Sequence, residues 1–359
     1  MTGPAADRAW DIEPWRPGDE AAILELFRRD FGRERSEAHW RWKFLDNPYG
    51  GPFISLAWHR DPRFLVGNQI LMPFPLCVDG REVLGGHSLD LVVHRDFRRQ
   101  GVFEHTGRHA EATLAAAGGR ALIAFPNAQS YPGFVRSLEW KRILEPTRWT
   151  LRLSIRRELS RRLGPTDIVR ALDAVFRQVT AARLGGPLRA ARAATAGLAT
   201  AHEDRLPPET DALWDRERAR VDLSVWKDAR YLTWRYVRHP EQRFRFHALR
   251  RGADLEGLLV STVREGVALL CELIVPSRNV AAGRRLVREV VALHAGEGAE
   301  SVDFLGHDAG FFAAAFAGFR RRVAAANVLA GRGIADEALT ARMADAGRWT
   351  VSYGDGDFV

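Results

Sequence analysis

The sequence predicts an α/β chain of two similarly ordered halves joined by a helical linker, and three observations carry that prediction. Leu91-Val92-Val93 reads as a strand that passes through Arg98-Arg99-Gln100-Gly101 into a helical run from Val102. Trp42-Lys43-Phe44-Leu45-Asp46-Asn47-Pro48 returns as Trp234-Arg235-Tyr236-Val237-Arg238-His239-Pro240, with Trp, base, aromatic, aliphatic and Pro in register. Two copies mean a duplicated domain, because a solenoid needs three or more units. Between the copies lies an Ala/Arg-rich stretch without strand patterning. A length of 359 residues, 46% of them hydrophobic, suffices for two cores.

The elements run in order along the chain. Residues 10–15 open as a strand, and Gly18-Asp19-Glu20 starts a helix with Ile23, Leu24, Leu26 and Phe27 on one face. Strand-like runs are expected at 53–58, 64–70, 76–83 and 88–93, then a helix at 102–117 closed by Gly118-Gly119. A strand at 121–125 and a short helix at 130–138 complete the first half. The second half repeats the later part: strand 267–275, helix 281–294, strand 301–305 and short helix 309–319. Residues 152–200 read as one or two amphipathic helices broken at Gly164-Pro165 and at Gly185-Gly186-Pro187. The expected organisation is an N-terminal domain over 1–150, a helical linker over 151–205 and a C-terminal domain over 206–359.

The strand-to-helix junction is built to hold an anion. Unpaired N–H groups and the helix dipole converge there, Gly101 lets the backbone come close, and Arg98 and Arg99 add positive charge. Arg98-Arg99-Gln100-Gly101-Val102-Phe103 resembles motif A of the GNAT acyltransferase superfamily, Arg/Gln-x-x-Gly-x-Gly/Ala. Phe103 stands where that pattern has a small residue, and Arg95 stands where Pro is usual. The order of elements also resembles the GNAT order. The resemblance implies two GNAT-like domains, each a mixed, mostly antiparallel central sheet flanked by helices. In the second half, Pro276-Ser277-Arg278-Asn279-Val280-Ala281-Ala282-Gly283 has no Arg-x-x-Gly in register, so the cofactor loop is expected in the N-terminal domain alone.

The same resemblance implies a site. Acetyl-CoA is the expected co-substrate, held by Val92, Val93, Arg98, Arg99, Gln100, Gly101, Val102, Phe103 and Asn127. A backbone N–H near Val92 or Val93 would polarise the thioester carbonyl. Asp90 and His87 are the candidate bases, the histidine because its ordinary pKa suits neutral pH. Ser88 lies near the position that carries Glu in some relatives. The helix position that often carries the acidic Tyr holds Val135, one turn after Tyr131, which becomes the candidate acid. The expected activity is N-acetylation of a primary amine on a small molecule or sugar by direct attack on the thioester. Two alternatives are a peptidyltransferase-like protein that draws on aminoacyl-tRNA and a non-catalytic acyl-CoA-binding tandem GNAT.

Bulk properties narrow the partners. The formal net charge is +8, but Lys occurs only at 43, 141 and 227, an Arg/Ala skew that resembles codon bias and weakens basicity as a sign of nucleic acid. The basic amphipathic stretch between the halves leaves docking on a membrane surface (peripheral membrane contact) or on a polyanionic carrier open as a second use, beside simple packing. Only Cys77 and Cys271 are present, one in each half, which fits a reducing, cytoplasmic setting. Residues 1–7 lack the basic and apolar regions of a signal peptide, and no apolar run reaches the length of a membrane span. No Cys/His cluster has zinc spacing, so no metal is expected.

Overall fold

The structure, a computed structural model, describes residues 8–32, 34–308 and 310–358. Residues 1–7 and Ala309, at the expected start of a helix, lie outside the described residues. The chain forms two α/β units, one of residues 1–145, 238–241 and 326–346, the other of residues 146–237, 242–325 and 347–359. Neither boundary falls at 150 or 205.

The first unit contains β1 (Trp10–Pro14), α1 (Glu20–Phe31), α2 (Glu37–Phe44), β2 (Phe53–His59), β3 (Phe64–Val78) and β4 (Arg81–Val93). It continues with α3 (Val102–Ala116), β5 (Ala121–Ala124), α4 (Tyr131–Arg136) and β6 (Lys141–Leu144). The expected separate strands at 64–70 and 76–83 are corrected: β3 and β4 are two long strands joined at Asp79-Gly80. Both turn residues have positive φ (52° and 68°), the twist that a two-residue hairpin connection needs. Pro73 and Pro75 lie past Leu71, where β2 no longer runs beside β3 and the missing N–H groups cost no rung of that ladder.

The chain then enters the second unit with β7 (Thr147–Arg152), α5 (Arg156–Leu163), α6 (Asp167–Ala194), β8 (Ala199–Glu203), α7 (Thr210–Arg218), β9 (Leu223–Val225) and α8 (Ala229–Leu232). There follow β10 (Arg245–Arg251), β11 (Asp254–Arg264), β12 (Val267–Ile274), α9 (Val280–Gly296), β13 (Ser301–Gly306), α10 (Phe311–Ala315) and β14 (Arg320–Val323). Its sheet runs β14-β7-β13-β12-β11-β10-β8. The stretch expected to link two domains therefore belongs to this unit. A second correction concerns Gly185-Gly186-Pro187, where α6 continues unbroken with Pro187 inside it. Tertiary anchoring on both sides of the proline holds the helix: Arg177 reaches the carbonyls of Gly298 and Ala299, and Arg192 pairs with Glu289 on α9.

Finally β15 (Leu329–Gly333) and α11 (Glu337–Met343) return to the first unit. There β15 lies between β5 and β6, antiparallel to both, in the order β1-β2-β3-β4-β5-β15-β6. Each sheet thus takes one strand from the far part of the sequence, β7 in one and β15 in the other. Both sheets are mixed and mostly antiparallel, with β4 parallel to β5 in one and β12 parallel to β13 in the other. The repeated tryptophans, Trp42 and Trp234, are buried anchors in their respective units.

Candidate functional site

The parallel ladder of the first unit is short. Gly85, Gly86 and His87 pair with Ala121, Leu122 and Ile123, and beyond His87 the two strands part. A cleft of about 630 Å³ lies on this side of the unit, lined among others by Leu91, Val92, Val93, Arg98, Gly101, Phe103, Asn127 and Gly133.

The strand leading into the cleft is deformed in a way that decides which peptide faces it. Val92 stands opposite Asn68 and Leu89 opposite Ile70, so Asp90 and Leu91 share Gln69 and form a bulge. Asp90 takes a left-handed φ of 47°, and Asn68 donates from Nδ2 to its carbonyl at 2.8 Å. The alternation expected for 88–93, with Ser88, Asp90 and Val92 on one face, is therefore interrupted. After the bulge the ladder resumes: His94 N–H donates to the Val66 carbonyl at 2.8 Å, which makes 94 and 92 the positions that face β3. The Val93 peptide faces the other way, and its carbonyl accepts from Arg98 Nε at 3.2 Å.

At the end of β4, His94 caps a single turn, Arg95–Phe97, and the chain passes through Arg99 (φ 62°) and Gly101 (φ 82°) into α3. No side chain caps α3, so the N–H groups of its first turn have no partner from a capping side chain. A Cβ on Gly101 would meet only the His105 ring, at 3.1 Å, and an L-residue there would also strain the backbone by about 1–2 kcal/mol. Arg98 is held by Asp30 at 2.6 Å, while Arg99 makes no ion pair among the described residues. Gln100 is not in the cleft lining; its amide donates to the Asp96 carbonyl at 2.8 Å.

Phe103 is accommodated by a glycine on α4. Its ring packs on Phe134 edge to face at 5.3 Å, and a Cβ on Gly133 would collide with it at 2.8 Å. The bulk added at 103 is thus balanced by a glycine inside α4. Val102 is buried beneath the loop with Trp10, Ala57 and Val66. Asn127 uses its side-chain oxygen to accept from the N–H groups of Gln129 and Ser130, at 2.9 and 3.0 Å, which leaves its NH2 as the donor for a ligand.

The three candidate acid and base residues are not in the cleft lining. Asp90 pairs instead with Arg35 at 2.8 Å and Lys43 at 3.6 Å. His87 is buried at the last rung of the parallel ladder, between the rings of Phe74 and Phe125. Tyr131 begins α4, the helix whose Gly133 faces the cleft. Sequence reasoning missed Arg35, Lys43 and Gly133. Lys43 had a signal, since it is the base of the repeated Trp element, and so had Gly133, a helix glycine near an out-of-place phenylalanine.

In the second unit the corresponding features are filled by the chain itself. β12 and β13 pair from Val267 to Leu270 and then part, with a bulge at Cys271. Arg235 donates to the carbonyls of Gly354 and Gly356, at 3.1 and 2.8 Å, and a bridge joins His307 to Val351. The buried Lys227 ammonium lies 2.5 Å from Glu272 and 2.7 Å from Asp355, and Tyr236 donates to Glu272 at 2.7 Å. Burial, with Glu272 beside it, pushes Asp355 up to about 6 despite Lys227. At the start of α9, Asn279 accepts from the N–H groups of Ala281 and Ala282.

Residues 11–143 match the profile of the acetyltransferase (GNAT) domain. No curated protein matches the chain by sequence. Among solved structures, a GCN5-related N-acetyltransferase from Kribbella flavida is similar with a TM-score of 0.60 at 14% identity, over 90% of this chain and 72% of that one. A conserved protein of unknown function from Enterococcus faecalis V583, a probable N-acyltransferase, gives 0.60 at 11% identity, over 91% and 73%. A tandem GNAT protein from the clavulanic acid biosynthesis pathway gives 0.51 at 15% identity, over 90% and 98%. The first unit thus carries the match to the acetyltransferase (GNAT) domain, and the chain as a whole shares the fold of these solved structures, a tandem GNAT protein among them.

Proposed function

We propose that the first unit binds acetyl-CoA and transfers the acetyl group to a primary amine of a small molecule. The observation that carries this reading is the junction of the parted strands with the uncapped start of α3. The residues present fit the co-substrate: Gly101 leaves the space a Cβ would fill, Arg98 and Arg99 supply charge for a pyrophosphate, and the cleft continues along Val92 and Val93. Acetyl-CoA supplies the activated thioester; the chain holds and polarises it.

In this reading the Val93 N–H donates to the thioester carbonyl, and its aim is set by the bulge. Asp90, fixed by Arg35 and Lys43, acts as a positioning residue that holds the bulge. His87, at the last rung before the gap, is the candidate side-chain base, and Tyr131, next to Ser130 of the cleft lining, is the candidate donor to the departing thiolate; neither lines the cleft itself. The Asn127 NH2 donates to the amide arm of the co-substrate.

The test is calorimetric titration with acetyl-CoA, and separately with CoA, of wild type and Gly101→Glu. Micromolar binding by wild type, weakened at least about a hundredfold in the variant, is the expected result, because a carboxylate and a strained φ enter the anion cradle together. Absence of binding by wild type overturns the reading and shifts it to a donor other than acyl-CoA.

A further inference from the structure

The chain's excess positive charge is concentrated. Residues 152–194 contain ten arginines and three carboxylates, so seven of the eight excess charges fall there. They form the end of β7, α5 and α6, all within the second unit. The three carboxylates are already engaged: Glu158 with Arg152 and Arg162, Asp167 with Arg170, and Asp173 with Arg177. Arg157, Arg161, Arg183 and Arg189 make no ion pair among the described residues.

The same stretch exposes aliphatic surface. Ile168, Leu172, Val175 and Val179 repeat at helical spacing and are 69%, 46%, 57% and 43% exposed; Leu163, at the end of α5, is 59% exposed. Five of the nine exposed large apolar side chains among the described residues thus fall within 17 positions. The helix is not loose: Val169, Asp173 and Ala191 are buried on its inner side, and Arg192 binds Glu289 through two contacts of 2.7 Å. The apolar stripe is held outward on a helix about 42 Å long.

We propose that α5 and α6 form a docking surface for an anionic lipid bilayer. An aliphatic stripe and uncompensated arginines on one helical segment meet the two requirements of such a surface, entry into the acyl boundary and contact with lipid phosphates. A nucleic acid would use the arginines and leave the stripe in water. A second copy of the chain would cover the stripe and bring like charges together. The helix lies on the bilayer, since no helix among the described residues is long and apolar enough to cross one.

The experiment is flotation of the full chain with vesicles of phosphatidylcholine alone and of phosphatidylcholine mixed with phosphatidylglycerol. Binding to the anionic vesicles only, decreasing with added salt, is expected. The double variant Ile168→Ser/Val175→Ser should lose roughly tenfold or more in partitioning with an unchanged thermal midpoint, because both side chains point outward. Arg157→Gln/Arg161→Gln should weaken binding and flatten its salt dependence. Gly101→Glu should float as wild type does, which separates this surface from the cleft. The proposal is overturned by no binding to anionic vesicles, by equal binding to neutral ones, by duplex RNA binding that survives the serine variant, or by a wild-type dimer that the serine variant makes monomeric.

Discussion

Two helices of this chain each connect the strands of a parted parallel pair, and their N-termini differ. At α3 the cap is Gly101, in left-handed backbone with no side chain to offer, and the cleft runs up to it. At α9 the cap is Asn279, whose side-chain oxygen takes two of the orphan N–H groups. Nearby, burial raises the Glu217 carboxyl to about 7 against Arg278 and Arg220. The gap between the strands differs in the same sense. In the first unit it opens onto a cleft; in the second, the turn Tyr353–Asp355 packs on both β12 and β13, with Lys227 bound to Glu272 and Asp355. The difference teaches that the splay and the orphan helix end are liabilities of the fold, which an external anion or the chain's own residues can satisfy.

The largest effect expected from breaking this contrast is in the second unit. Lys227→Met leaves Glu272 and Asp355 buried together without their cation and should cost about 3–5 kcal/mol, read as a lower denaturant midpoint. The bulge carboxylate of the first unit is a milder case, because Asp90 holds a peptide that in our reading acts on the co-substrate. Asp90→Asn should lower turnover about tenfold or more while acetyl-CoA affinity changes by less than about threefold. Equal losses in both would make Asp90 a binding residue.

A pH-dependent effect is expected at Glu217. Its pKa is raised on folding from 4.5 to about 7, so between those values the folded state holds the extra proton and stability falls as pH rises. Glu217→Gln removes that penalty. It should stabilise the protein by about 3 kcal/mol more at pH 8 than at pH 4.5, measured by chemical denaturation at both. A constant difference would place Glu217 in water. The smallest effect is at the cap itself, where Asn279→Ala should cost about 1 kcal/mol.

Much of the fold and the conformation of the 98–101 loop was legible in the primary structure because it depends on local chemistry. The strand, Arg-x-x-Gly and helix at 91–102 follow from β-branching, a glycine that must adopt positive φ and an amphipathic run. The duplicated Trp element marked both units, since bulky aromatic anchors keep their spacing when a domain is copied. The absence of Arg-x-x-Gly at 276–283 likewise foretold that the second helix end is different.

Only the tertiary structure decided the pairings between distant residues. Sequence patterning cannot show that β15 inserts between β5 and β6 or that β7 joins β13, because ladder partners are chosen by sheet closure rather than by neighbours in the chain. Nor does alternation reveal a bulge, which depends on the register with β3 and turns Asp90 to Arg35 and Lys43. Gly185-Gly186-Pro187 reads as a break because local propensity opposes a helix there, yet contacts at Arg177 and Arg192 carry α6 through it. The local sequence determined which segments form strands, loops and caps; long-range packing determined which gap opens onto a cleft and which the chain fills itself.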